Sequence, residues 1–344
     1  MYPKLRPMAN PMRGRHTPTM ANNTSPGPIG SARKSLTLPF QPPFDWVGLL
    51  NFLGSRAIPG VEKVEGAVYR RTISLAGQPG ILSVEMGEGV FQASIRGPAA
   101  DHAADHADQA RVRLGRLLDL GADPAAIVAV LGRDPLLAPA VAARPGLRVP
   151  GAWDSFELGI RAVLGQQVSV AGASTLAGRL VLAHGAALPP DLAGDGLTHL
   201  FPLPGKLAVA DLVGLGLPGA RARTLSGLGA AVLANPHLFD TGALEADLAR
   251  LTALRGIGPW SANYMAMRAL RHGDAFPAGD LGLLRALGGA GPLPSHASLA
   301  ARAEAWRPFR AYATLHLWTS VDPGPSRRPP RPVKGTGKGA VKGA

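Results

Sequence analysis

The sequence predicts an α+β fold in which a small antiparallel-sheet domain precedes an all-helical region. Three segments rich in β-branched and alternating apolar residues are separated by GQPG and GEG: YRRTISLA (69–76), ILSVEM (81–86) and VFQASI (90–95). Short glycine turns between such segments are typical of an antiparallel meander. From Ala125 onward the chain has short stretches rich in Ala, Leu and Gly and no strand pattern, which indicates helices.

Two helices are predicted to accompany the strands. Asp45 can cap a helix whose apolar face comprises Trp46, Leu49, Leu50 and Leu53. A second helix is predicted from about Asp101 to Leu120. We therefore expect an α+β N-terminal domain over residues 37–125 and an α-helical domain over residues 126–322.

Both ends of the chain differ in composition from the rest. Residues 1–36 and 323–344 each hold six Lys or Arg and no acidic residue, and both are rich in Pro, Gly and Ser. Such segments cannot bury a core, so we predict two disordered basic tails. The whole chain carries a net charge of +13, whereas residues 37–322 carry only +1. The folded part must therefore attract an anionic partner through local patches.

The composition excludes several classes of protein. The chain has no cysteine, which excludes disulfides, a thiolate zinc site and an iron–sulfur cluster. No apolar run reaches the roughly 18 residues of a membrane helix, and no signal-peptide core is visible. We expect a cytoplasmic protein without a membrane partner.

The most informative segment is LRGIGPWSANYMAMRAL at residues 254–270. Gly256 and Gly258 flank Ile257 and, lacking a Cβ, let backbone amides approach a partner closely. Pro259 then opens a helix at the position where a missing N–H costs nothing. The preceding helix has an apolar stripe of Leu244, Leu248, Leu251 and Leu254. This helix, glycine hairpin and helix can bind a DNA phosphate; the alternative is a glycine cap between two packed helices.

Asp280 follows the hairpin, 22 residues after Gly258. It is the only carboxylate between Asp274 and Glu304, so it is a candidate for chemistry near the hairpin. It also precedes an apolar run that begins at Leu281, and an Asp in that position can be an ordinary helix N-cap.

A second glycine turn lies in LGLPGARARTLSGLG at residues 215–229, and Arg221 and Arg223 stand just beyond it. We interpret these two arginines as a solvated helix face rather than a phosphate clamp, since charged residues on a predicted helix are usually exposed.

Four segments in order carry a family resemblance: FELGIRAVLGQQVSVAGAS (156–174), residues 254–270, FPAGDLGLL (276–284) and WRPFRAYATLHLW (306–318). Together they resemble DNA-3-methyladenine glycosylase II, the alkylated-base branch of the helix-hairpin-helix DNA glycosylase superfamily. The resemblance extends from about Pro42 to Trp318. It implies a helix-hairpin-helix glycosylase region after an α+β N-terminal domain.

The resemblance implies a DNA glycosylase of base excision repair that removes alkylated purines, chiefly 3-methyladenine and 7-methylguanine. Such an enzyme flips the base out of the duplex and hydrolyses its N-glycosidic bond. Asp280 matches the catalytic aspartate, which can stabilise the oxocarbenium character of the sugar. Trp260, Tyr264 and Trp318 match the aromatic substrate pocket, where rings would favour a cationic base. The alternative for these rings is that they fill the core.

The same resemblance implies a monofunctional enzyme. Bifunctional relatives carry a lysine nucleophile just after the hairpin, where this chain has Pro259, Trp260 and Ser261. No lysine lies between Lys206 and Lys334, so a Schiff base near the hairpin and an AP lyase activity are not expected.

No cofactor is expected for catalysis. The family's hairpin holds a monovalent cation, Na⁺ or K⁺, through main-chain carbonyls, which correspond here to Thr252, Leu254 and Ile257. This is a prediction from the resemblance alone, because backbone ligands leave almost no side-chain pattern.

The expected partner is double-stranded DNA containing alkylated bases, bound by a monomer in the bacterial nucleoid. The hairpin residues Gly256, Ile257 and Gly258 are predicted DNA contacts. Gln167 in GQQVS occupies the position at which the family enzyme wedges a leucine into the space left by the flipped base. Two alternatives remain: a glycosylase for another lesion, such as an oxidised or deaminated base, and a non-catalytic damage-binding protein in which Asp280 is only a cap.

Overall fold

The computed structural model describes residues 33–102, 105–289 and 291–320. Its strands are β1 (Arg33–Pro39), β2 (Glu62–Glu65), β3 (Val68–Leu75), β4 (Gln78–Met86) and β5 (Val90–Arg96). They form one antiparallel sheet in the order β1-β5-β4-β3-β2. The predicted meander is therefore confirmed as β3, β4 and β5.

The start of the sheet corrects the predicted N-terminal boundary. β1 begins at Arg33 and pairs with β5 from Arg33 opposite Arg96 to Pro39 opposite Val90. Residues 33–36, which we assigned to the first tail, are thus part of the sheet. The rest of that tail and residues 323–344 lie outside the described residues.

The helices of the described part are α1 (Trp46–Gly54), α2 (Ala107–Leu118), α3 (Pro124–Leu131), α4 (Ala138–Ala143), α5 (Ser155–Leu164), α6 (Val170–His184), α7 (Pro204–Ala208), α8 (Gly219–Ala234), α9 (Leu244–Thr252), α10 (Pro259–Arg268), α11 (Leu281–Gly288), α12 (His296–Ala303) and α13 (Arg310–Ser320). None of them is both long and apolar enough to cross a membrane.

Helix α1 forms as the sequence predicts. The carboxylate of Asp45 accepts a hydrogen bond from Gly48 N at 2.8 Å and caps the helix. The apolar face of α1 packs on the sheet, and its buried residues are Trp46, Leu49, Leu50 and Leu53. α2 is shorter than predicted, but its buried face, which includes Leu114 and Leu117, joins the same core.

The helical region has two cores, and α10 lies between them. Met265 belongs to the core that also contains Ile160 of α5, whereas Met267 belongs to the core that contains Leu284 of α11. The predicted boundary at residue 125 falls inside α3, and Ile127 of α3 packs in the second helical core. The helical region therefore includes the whole of α3.

A buried ionic network joins the sheet to α5. Arg71 of β3 donates to Glu157 at 2.6 Å, and Arg161 donates to Glu62 of β2 at 2.6 Å. Burial opposes ionisation of Glu62, but Arg161 and Arg71 outweigh it and lower its pKa to about 2. Tyr69 donates to the same carboxylate at 2.6 Å. These bonds hold α5 against the sheet and set the position of the loop that follows α5.

Candidate active site

The predicted helix-hairpin-helix is present: α9 and α10 are its two helices, and the glycine hairpin lies between them. Gly256 has φ +85°, a left-handed conformation that suits glycine. A Cβ at this position would overlap the Thr224 hydroxyl and lie 2.9 Å from the Thr224 methyl carbon. Gly258 is the N-cap of α10, and nothing lies within 4 Å of where its Cβ would be. One glycine is therefore required by packing, and the other leaves the helix N-terminus open to a partner.

The side chain of Ile257 does not point to a partner. It is 4 % exposed and packs in the first helical core. Its N–H donates to the carbonyl of Leu254 at 3.0 Å and closes the turn. Any DNA contact by Ile257 must therefore use its backbone.

Asp280 stands where three helices meet. It is the N-cap of α11, since Oδ1 accepts from Leu283 N at 3.0 Å. The same oxygen accepts from Nε1 of Trp318 in α13 at 2.9 Å. Oδ2 accepts from Nε1 of Trp260, at the start of α10, at 2.8 Å. Asp280 is thus a helix N-cap, as one of the two interpretations predicted. Its carboxylate also contacts two of the three predicted pocket residues directly.

The three predicted pocket rings lie together. Trp260 and Tyr264 are stacked, with centroids 5.2 Å apart and planes 13° apart. Tyr264 and Trp318 are tilted by 42° at a centroid distance of 6.3 Å. Tyr264 is half-buried and also packs against both helical cores. Tyr264 therefore packs against both cores and also stacks on the ring of Trp260, and its role in a substrate pocket stays a prediction.

A buried arginine holds Tyr264 in place. Arg268 donates to the Tyr264 hydroxyl and also to the carbonyls of Pro150 at 2.6 Å and Gly151 at 3.1 Å. Burial raises the pKa of Tyr264, but Arg268 and Arg56 outweigh that effect and lower it. The ring is therefore fixed at its hydroxyl and at its face, which makes this wall of the site rigid.

Sequence reasoning missed two residues that position Asp280. Asn263 of α10 donates to Pro259 O at 3.0 Å and accepts from Phe276 N at 3.0 Å, which ties the segment before Asp280 to α10. Gly282 gives the carboxylate room, because a Cβ there would lie 2.9 Å from Asp280 Oδ1. Gly282 could have been noticed in the sequence, because it follows Asp280 closely in GDLG. Asn263 could not, because a single asparagine on a helix has no pattern that marks it.

Gln167 lies in the exposed loop between α5 and α6. Its φ is +58°, in the left-handed region that a non-glycine residue rarely adopts. The side chain is exposed, and its role as a wedge stays a prediction. The loop is close to the start of α10, because Gln166 donates to Ser261 Oγ at 3.0 Å.

The predicted cation ligands lie at the end of α9. Thr252 is the last residue of this helix, so its carbonyl has no partner within the helix. The carbonyl of Leu254 accepts one hydrogen bond, and a carbonyl oxygen has two lone pairs. Within residues 33–102, 105–289 and 291–320, no group of three His, Asp or Glu side chains could hold a metal ion. The candidate cation ligands near the hairpin are backbone carbonyl oxygens, and oxygen ligands suit a hard monovalent cation.

A cavity of about 970 Å³ lies away from this site. It is lined by Arg71 of the sheet, by Trp153 and Glu157 near the amino end of α5, and by His184 at the end of α6. Gln167 follows the opposite end of α5. The cavity and the loop that carries Gln167 are therefore at opposite ends of α5.

Comparison with known proteins identifies the family of this chain. Residues 35–154 match the family described as the AlkA N-terminal domain. The DNA-3-methyladenine glycosylase 2 of Escherichia coli K12 is 35% identical over 289 residues, which cover 82% of this chain and 96% of that protein. The chain belongs to the DNA-3-methyladenine glycosylase II family.

Other relatives of the family show how far the similarity extends. A protein of Mycobacterium tuberculosis H37Rv, named probable bifunctional transcriptional activator/DNA repair enzyme AlkA, is 41% identical over 306 residues. The match covers 86% of this chain but 59% of that relative, so the chain spans little more than half of its length. The N-terminal match at 35–154 also passes the boundary that we predicted at residue 125.

Solved structures share the fold of this chain. A 3-methyladenine DNA glycosylase from Archaeoglobus fulgidus has a TM-score of 0.70 at 22% identity and covers 82% of this chain and 97% of its own. A Clostridium acetobutylicum 8-oxoguanine glycosylase/lyase in complex with DNA has a TM-score of 0.62 at 16% identity, with coverage of 80% and 91%. The fold is thus shared by enzymes named for different lesions, and it does not by itself decide the substrate.

Proposed function

We propose that this protein is a monofunctional DNA glycosylase that excises alkylated purines, chiefly 3-methyladenine and 7-methylguanine, in base excision repair. The observation that carries the proposal is the contact of Asp280 with both Trp260 and Trp318 beside a helix-hairpin-helix. Membership of the family supports it, because the relative in E. coli is named DNA-3-methyladenine glycosylase 2.

The carboxylate of Asp280 is suited to stabilise positive charge on the sugar. An ionised carboxylate has about four acceptor positions, and three donors contact this one: Leu283 N, Trp318 Nε1 and Trp260 Nε1. Its orientation is therefore set before DNA binds, and acceptor capacity remains. As the N-glycosidic bond breaks, such a preorganised anion beside C1′ lowers the barrier and can orient the attacking water.

The rings supply a surface for the flipped base. A base alkylated at a ring nitrogen is cationic, and stacking it on Trp260 or Trp318 would contribute about 0.5–2 kcal/mol. Tyr264 is stacked under Trp260, so it stabilises the wall rather than offering a free face of its own.

The residues after the hairpin support hydrolysis without a covalent intermediate. Pro259 and Trp260 cannot form a Schiff base, and Ser261 is buried and accepts a hydrogen bond from Gln166. The sequence has no lysine between Lys206 and Lys334. A monofunctional mechanism follows, in which water is the nucleophile.

The hairpin is the proposed point of attachment to double-stranded DNA. The open N-terminus of α10 at Gly258 would bind a phosphate, and the carbonyls of Thr252, Leu254 and Ile257 would hold a monovalent cation there. The protein would act as a monomer on alkylated DNA in the bacterial nucleoid. No catalytic step requires the cation.

The test is release of free bases from DNA methylated in vitro, resolved by chromatography. The proposal expects 3-methyladenine and 7-methylguanine in the supernatant and alkali-labile sites in the DNA. Since Asp280 does cap α11, a binding protein without chemistry is the second candidate; binding to methylated DNA with no base released would support it. Release from oxidised or deaminated DNA alone would identify another lesion as substrate.

A further inference from the structure

The loop between α5 and α6 is tied to the hairpin by one side chain. The amide Nε2 of Gln166 donates to the carbonyl of Gly256 at 3.1 Å and to Oγ of Ser261 at 3.0 Å. A primary amide has two N–H donors, and both are directed at the hairpin and the first turn of α10. The contacts span 90 and 95 residues of chain.

The main chain of Gln166 is held as well. Arg221, near the start of α8, donates to its carbonyl at 2.5 Å, and the N–H of Gln166 donates to Val163 O at 3.2 Å. The interpretation of Arg221 as a solvated helix face is therefore wrong, because the residue is half-buried and its guanidinium donates to this loop. Three elements, α5, α8 and the hairpin, thus converge on one residue.

The next residue shows what this restraint does. Gln167 has φ +58° and an exposed side chain. A non-glycine residue persists in the left-handed region where the surrounding structure enforces it, and the bonds on Gln166 supply that enforcement.

We infer that Gln166 is a positioning residue that couples the binding of DNA by the hairpin to the position of the Gln167 side chain. The inference rests on the proposed function and on the predicted wedge, Gln167, which would enter the duplex where the base leaves it. Because Gly256 O and Ser261 Oγ are held by the same amide that precedes Gln167, hairpin and wedge meet DNA as one unit. Loss of that amide would release Gln167 without removing it.

A double-mutant cycle on Gln166 and Gln167 tests the coupling. Gln166→Met keeps the length of the side chain and removes both donors without adding charge. The four proteins are wild type, Gln166→Met, Gln167→Ala and the double variant, and the probe is a duplex with a tetrahydrofuran abasic-site analogue opposite each of the four bases. Gln109→Met, on the exposed face of α2, is the matched control.

We expect Gln166→Met to weaken binding by about tenfold and to reduce its dependence on the opposite base. The double variant should bind no more weakly than Gln167→Ala alone, since Gln166 acts through Gln167. Gln109→Met should bind as wild type, and thermal unfolding should show all variants folded. Multiplicative losses in the double variant, or a Gln166→Met protein that binds within twofold of wild type with unchanged base dependence, would overturn the inference.

The measured affinity for the abasic-site analogue does not depend on base excision. If wild type binds the analogue but releases no base from methylated DNA, the proposed function fails while the cycle still decides the role of Gln166. If wild type does not bind the analogue, both are overturned.

Discussion

The indole N–H of Trp318 donates to Oδ1 of Asp280 at 2.9 Å, across 38 residues of chain. The same oxygen caps α11 through Leu283 N, and the other oxygen accepts from Trp260. A helix cap and a catalytic carboxylate are therefore not alternatives for Asp280. The cap fixes the side chain at one end of α11, and the two indoles fix its rotation toward the aromatic wall.

Asp280→Asn should separate binding from chemistry. Asparagine keeps one oxygen for Leu283 N and Trp318, so the cap survives, but its amide group meets the N–H of Trp260 and the negative charge is lost. We expect excision of methylated bases to fall by about two to three orders of magnitude, as for loss of one preorganised electrostatic group. Affinity for an abasic-site duplex should remain within a few-fold of wild type.

The control for this substitution is Asp123→Asn, which changes the N-cap of α3, where Asp123 accepts from Ala126 N at 3.1 Å. It should leave the excision rate unaltered. An Asp280→Asn protein that excises within threefold of wild type would remove Asp280 from the catalytic assignment.

The two indole N–H groups should affect the rate through the orientation of Asp280. Trp260→Phe and Trp318→Phe each keep an aromatic ring and remove one hydrogen bond, worth about 1 kcal/mol. We expect each to slow single-turnover excision at saturating enzyme by about five- to tenfold. Trp46→Phe removes a comparable bond, from Trp46 Nε1 to Ala67 O at 3.0 Å in the sheet domain. It should lower stability without slowing excision; an equal slowing would point to general destabilisation.

Replacing the two hairpin glycines by alanine should have different effects: one on stability and the other on DNA binding. Gly256→Ala forces a Cβ onto Thr224 and a residue with a side chain into φ +85°, so the free energy of unfolding should fall by about 1–3 kcal/mol. Gly258→Ala meets no protein atom within 4 Å and should unfold as wild type. If DNA approaches there, its affinity should drop and its salt dependence should become shallower. Wild-type DNA binding by Gly258→Ala would place the phosphate elsewhere.

His316 should make stability depend on pH. It is 2 % exposed in α13, and burial, with Arg144 nearby, lowers its pKa to about 4. An unfolded histidine has a pKa of about 6.5, so between these values the unfolded state binds a proton that the folded state rejects. The free energy of unfolding should therefore fall as the pH drops from about 6.5 toward 4, by up to about 3 kcal/mol.

Urea unfolding at pH 7.5 and pH 5 checks this. Wild type should lose about 2 kcal/mol more between these pH values than His316→Leu. His237→Gln, which changes an exposed imidazole, should behave as wild type. Equal losses in wild type and His316→Leu would show that His316 is protonated in the folded state as readily as in the unfolded state.

The sheet shows where sequence patterns were sufficient and where they were not. β3, β4 and β5 are joined by short turns, so their alternation and their glycines identify them locally. The first four residues of β1, 33–36, were assigned to the tail, because β1 buries only two leucines, Leu36 and Leu38, and takes its partners from β5, more than fifty residues later. Pairing of that kind has no local signature.

By itself the sequence determined the hairpin and the cap at Asp280, because glycine, proline and capping side chains act on the backbone within a few residues of themselves. The aromatic residues were identified from the family resemblance. Only the tertiary structure decided that Trp260, Trp318 and Asp280 share hydrogen bonds and that Gln166 holds Ser261. Those contacts join residues 20, 38 and 95 positions apart. They exist because α10 packs between two cores, which fixes the distance from its first turn to α5, α11 and α13.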